Sequence, residues 1–161
     1  MKAKVLISLF AIALTITFIG VAGFAQAQDK PADNMEIVKE KIRSDKKLLV
    51  ATNMQLTESE ANAFWPVYET YQAELGKLVE REIKLIENFA ANIETMSDDV
   101  AKDLLDNSMS IDSDYQKLRQ TYLAKFRGVL SDKKVARYYQ LESKINAVFE
   151  YELARKIPLV Q

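Results

Sequence analysis

The stretch Gln55–Gln72, QLTESEANAFWPVYETYQ, decides how this chain is read. Leu56, Thr57 and Glu60 make a helix start, because the Thr57 hydroxyl can accept from the backbone N–H of Glu60 while the Glu60 carboxylate reaches back to the N–H of Thr57. Apolar positions then recur at three and four residues through Phe64, Tyr68, Tyr71 and Leu75, the period of one helix face. Pro66 falls inside that helix. It removes a backbone donor and crowds the carbonyl four residues back, that of Asn62. The apolar phase continues across it, so the sequence predicts one long helix kinked at Pro66. The alternative is a separate short helix ending at Trp65, since a residue before proline is biased away from the helical region.

Working outward, three further helices follow from the same spacing. One runs from about Asn34 to Met54, with Met35, Val38, Ile42 and Leu49 on one face and Asp33 with Glu36 as a capping pair. The helix after Thr57 ends at the break Thr95–Ser97. Another follows Ser97 and stops near Gly128, a residue suited to a left-handed helix end. The last follows Ser131 and ends before Pro158. Only four Gly and three Pro occur in the whole chain, too few breakers for anything but an all-α fold. At ~1.5 Å per residue the second helix would extend ~55 Å and the third ~45 Å, whereas a compact domain of this size is roughly 36 Å across. The expected architecture is therefore all-α, an elongated, kinked antiparallel helical hairpin of about four helices: either a partner subunit completes it, or the helices bend around something.

The chain begins Met1-Lys2-Ala3-Lys4, continues as an apolar run from Val5 to Phe24 and reaches Ala25-Gln26-Ala27. These are the basic, apolar and small-residue parts of a secretory signal peptide, cut after Ala27. An uncleaved membrane anchor is the alternative, because the apolar run is long. Residues 1–27 are thus expected to be removed, leaving 28–161 as a single exported helical domain with no stable membrane anchor. With no Cys, neither a disulfide nor a lipidated cysteine is available. Basic residues number 22 against 23 acidic ones, and losing Lys2 and Lys4 makes the remainder more acidic, which argues against nucleic acid as a partner.

The absence of His as well as Cys removes the common nucleophile–base pairs and the usual transition-metal ligands. Asp98, Asp99, Asp103, Asp106, Asp112 and Asp114 lack the glycine of a calcium loop and fall along a helix, as a solvated face. Glu80, Glu82 and Glu87 have no Glu-x-x-His companion for a di-iron site and read as surface charge. No cofactor and no enzyme activity are expected. Two features could bind a partner instead. Lys39, Arg43, Lys46 and Lys47 fall on one side of the first helix, and Phe64, Trp65, Tyr68, Tyr71, Tyr138 and Tyr139 form an aromatic group of which Trp65, Tyr68 and Tyr139 are candidates for a client or dimer surface.

Leu56-Thr57-Glu58-Ser59-Glu60 has an echo in Leu130-Ser131-Asp132-Lys133-Lys134, with Phe64-Trp65 and Tyr138-Tyr139 at matching distances. The second copy keeps a cap in Ser131 and a staple from Leu130 to Val135, but Lys134 cannot make the reciprocal bond. In an exported, cysteine-free helical chain these two starts resemble the LTxxQ-motif family of periplasmic envelope stress proteins, the Spy/CpxP-like proteins. Both copies depart at the final Gln, as Glu60 and as Lys134. The resemblance implies a bent hairpin that pairs into a thin cradle-shaped homodimer. It also implies ATP-independent binding of unfolded or envelope client proteins, or docking on a periplasmic sensor kinase. A non-catalytic scaffold is the third expectation.

Overall fold

A computed structural model describes residues 31–160, with side chains described from Glu40 onward. The expected signal peptide, residues 1–27, lies outside the described residues. Within them the fold is all-helical: α1 (Pro31–Met54), α2 (Glu58–Asn92), α3 (Asp98–Arg127) and α4 (Asp132–Ala154). No described helix is long and apolar enough to cross a membrane.

The helix ends follow their sequence chemistry, with exceptions that matter. Glu60 N–H donates to Thr57 Oγ1 at 3.3 Å and Thr57 N–H to Glu60 Oε2 at 2.8 Å, so the capping box of α2 is complete. Ser97 Oγ caps α3 by accepting from Val100 N–H at 3.3 Å. Asp98 and Asp99 lie in the first turn of α3, and Lys125 and Arg127 in its last, each sign placed where the helix dipole favours it. Ser131 precedes α4 in extended conformation but makes no side-chain cap bond, so the cap expected there is absent. Gly128 is right-handed (φ −70°), not left-handed. The left-handed residue is Gln55, at φ 50°, which turns the chain between α1 and α2. α1 already contains Asp33, so Asp33 and Glu36 are not its capping pair.

α2 runs unbroken through Pro66, which excludes a separate helix ending at Trp65. Pro66 is exposed, so the carbonyl it leaves without a helical donor sits on a wet face where water can serve it.

Residue pairs give the arrangement. Tyr122 OH donates to Glu74 Oε1 at 2.7 Å, Tyr115 OH to Glu82 Oε2 at 3.0 Å, and Arg81 to Asp114 at 2.6 Å. Positions rising along α2 meet positions falling along α3, so the two are antiparallel. α1 and α4 are antiparallel by the same test, through Lys46–Glu142 and Arg137–Asn53. α2 and α4 run parallel: Lys134 binds Glu60, and Phe64 meets Tyr138 with ring centroids 5.3 Å apart. The two helix starts seen in the sequence, separated by 74 positions, thus lie side by side.

The core is built around those starts. Phe64, Tyr68, Tyr122, Phe126 and Tyr138 are almost completely buried, with Val50 and Met54 from α1 and Leu130 and Val135 at the start of α4. Phe126 and Tyr138 centroids are 4.6 Å apart and Tyr71 and Tyr122 5.1 Å, within the range where tilted aromatic pairs add stability beyond the area they bury. On α1 the buried face passes through Val50 and Met54, and Leu49, expected inside, is 51% exposed.

Candidate functional site

The expected basic and aromatic surface is largely spent on the fold. Lys46 is only 11% exposed at its side chain and sits 2.8 Å from Glu142 Oε2, itself 5% exposed. Gln72 Nε2 donates to Glu142 Oε1 at 3.3 Å and to Tyr138 OH at 3.4 Å. A buried ion pair between α1 and α4, buttressed by α2, therefore stands where a solvated stripe was expected. Tyr68 is 1% exposed, so it is a core residue and offers no monomer surface. Its hydroxyl has no hydrogen-bond partner among the described residues, and burial pushes its ionisation above the usual tyrosine range.

The remaining candidates are engaged to different degrees. Lys47 pairs with Glu69 at 2.5 Å and lies 5.3 Å over the Trp65 ring. Trp65 is half-buried and packs edge-on against Phe64 and Tyr68. Tyr139 is half-buried, and its OH donates to the Arg119 carbonyl at 2.8 Å. Arg43 is exposed, 3.8 Å from Glu40. Lys39 lies in α1, but its side chain is outside the described residues.

The two helix starts are brought together and tied. Lys134 Nζ donates to Glu60 Oε2 and, at 3.2 Å, to the carbonyl of Gln55. Arg137 Nε donates to the carbonyl of Asn53 at 2.6 Å. Carbonyls at the end of α1 have no helical donors of their own, and α4 supplies them. The bond from Lys134, then the Thr57 backbone, holds the Glu60 carboxyl below its usual range. Leu56 packs partly buried against the same core that Leu130 enters. The cap residues thus form a structural junction.

The open candidate site lies at the other end of the molecule, where α2, α3 and the end of α4 enclose a groove of about 440 Å3. Leu85, Ile86 and Phe89 of α2 face Leu104, Leu105 and Ile111 of α3, and Leu153, Ile157 and Val160 close the third side. Leu105 is 63% and Val160 54% exposed, so the apolar wall runs out to solvent. Glu82, Asp112 and Glu150 also line it. On sequence alone Glu82 and Asp112 read as solvated faces, and their convergence on a groove carries no signal there. Among the described residues no cluster of carboxylates is arranged to hold a metal ion. A groove of this size and lining can hold an apolar stretch of chain or a few side chains.

Comparison with protein-family models, curated proteins and solved structures found no match.

Proposed function

We propose that this protein is an exported, ATP-independent helper that binds unfolded segments of envelope proteins in the groove between α2, α3 and the end of α4. The observation that carries the reading is an apolar groove left open in a chain that commits the aromatic cluster at its helix starts, and Lys46 of the basic stripe, to its own packing. Exposed apolar surface of this kind marks interaction sites on soluble proteins. The signal-like start, with its A-x-A end at Ala27, and the resemblance of its two helix starts to the LTxxQ-motif family support a periplasmic setting. On this reading the chain acts by shielding, without catalysis. Its working form is a cradle-shaped homodimer bent at Pro66, whose exposed Leu48, Leu49 and Met109 are available to the second copy.

The test is aggregation of a reduced, unfolding client followed by light scattering without nucleotide. Protection near stoichiometric ratios is expected, and Leu105→Gln should weaken it, because Leu105 lines the groove and is exposed enough to change without disturbing folding. Undiminished aggregation in the presence of the parent protein would end this reading. Pro66→Ala restores the missing donor, and small-angle scattering should then show a straighter particle.

A further inference from the structure

The groove is edged by carboxylates from three separate elements: Glu82 on α2, Asp112 on α3 and Glu150 on α4. Among the described residues no Lys or Arg lines it. Glu82 receives a hydrogen bond from the neutral Tyr115 OH at 3.0 Å. Burial first, and then the charges of Asp112 and Glu150, hold its carboxyl above the usual range against the lowering effect of that bond. Such a shift is what burial of a carboxyl produces, and the two neighbouring carboxylates add to it. Most of the remaining lining is apolar, with Ile86, Phe89 and Leu104 among it.

We propose that the groove selects apolar polypeptide segments that carry Lys or Arg, and discriminates against acidic ones. The inference rests on the reading of the groove as the client site and names which clients it takes. The stems of Lys and Arg can lie along an apolar wall while their heads reach a charged edge. Each cationic head would meet an edge of carboxylates that no Lys or Arg of the groove lining neutralises. An acidic segment would bring a further carboxylate into the same edge, a repulsion that acts as selection against it. The chemistry is the reverse of the basic client surface that the α1 stripe suggested, from which Lys46 is withdrawn by its pairing with Glu142.

The experiment uses three labelled peptides of one apolar sequence, bearing Lys, Gln or Glu at the same positions, titrated into the protein and read by fluorescence anisotropy at low and physiological salt. The Lys peptide should bind about tenfold more tightly than the Glu peptide, equivalent to ~1.4 kcal/mol, with the Gln peptide between them. The preference should shrink as salt rises. Asp112→Asn combined with Glu150→Gln should bring all three to within about twofold of one another, and an undiminished preference for the Lys peptide in that variant would overturn charge selection by this edge. Circular dichroism would establish that the variant is folded. Equal binding of all three peptides to the parent would overturn charge selection and leave the groove as the client site. No binding of any peptide, or no loss of the Gln peptide on Leu105→Gln, would overturn the client reading and this inference with it.

Discussion

Lys134 of α4 donates to the Glu60 carboxylate of α2, joining the final positions of two helix starts that lie 74 residues apart. The two positions have opposite charge and answer each other. Reversing both, as Glu60→Lys with Lys134→Glu, should recover part of the melting temperature lost by either single reversal. Full recovery is not expected, because a carboxylate in place of the Lys134 ammonium could not donate to the carbonyl of Gln55. Thermal unfolding of the four proteins measures this, and additive losses would mean that the pair does not interact.

The caps should be unequal. Thr57→Ala removes a hydroxyl that accepts from Glu60 N–H and should cost about 1 kcal/mol. Ser131→Ala removes a hydroxyl that makes no cap bond and should stay within about 0.5 kcal/mol. Urea unfolding of both variants decides it, and equal losses would count against the difference.

Lys46 and Glu142 should behave as a buried pair. Lys46→Ala strands a carboxylate in the interior and should cost about 3–5 kcal/mol, whereas Lys46→Met with Glu142→Leu, which removes both charges and keeps the volume, should lie much closer to the parent. A Lys46→Ala protein as stable as the parent would return Lys46 to the solvated stripe.

The unpaired hydroxyl of Tyr68 gives a test in the other direction. Tyr68→Phe breaks no hydrogen bond and relieves a buried polar group, so stability should rise by about 1 kcal/mol or hold level. A clear loss would reveal a partner for the hydroxyl, such as a buried water.

Acid should act on Glu82 and Glu60 with opposite signs. Glu82 has its folded ionisation raised above 4.5, so between that ordinary value and the raised one the folded state binds more protons, and stability falls as pH rises through the window. Glu60 is lowered from 4.5, so its contribution is present above that value and is lost as pH falls below it. Glu82→Gln should flatten the stability profile above the ordinary value, and Glu60→Gln should flatten it below. Unfolding free energies from urea titrations across mild acid would show both, and an unchanged profile in either variant would remove that residue from the account.

The four helices were legible because the chain has few breakers and because Thr57, Ser97 and Ser131, the last without a cap bond, each precede a helix that the apolar spacing already required. Phe64, Tyr71, Tyr122 and Phe126 were legible in the core for the same reason, whereas Tyr68, read as a candidate surface residue, is buried with them. What could not be read was α1, whose buried face carries Lys46 in line with Val50 and Met54. A cation at a core position looks like the edge of a polar face, which moves the apolar stripe one residue, to Leu49. Glu142 and Gln72 were hidden in the same way, since a polar side chain inside becomes recognisable only when its partner from another helix is known. The groove was equally invisible, because Glu82, Asp112 and Glu150 sit on three elements and nothing in their spacing announces that they converge.

The sole tryptophan stands where α1 meets α2, with Phe64 and Tyr68 against its edge and the Lys47 ammonium over its face. Its emission is therefore a single-site optical signal, free of contributions from any other indole. Tyrosines of the same cluster lie within a few ångströms of it and can pass excitation to it. The protein carries its own fluorophore at the junction of its helix starts and well along α2 from the groove, so separation of α1 from α2 can be followed without attaching a dye to the chain, while occupation of the groove is read separately from a labelled peptide.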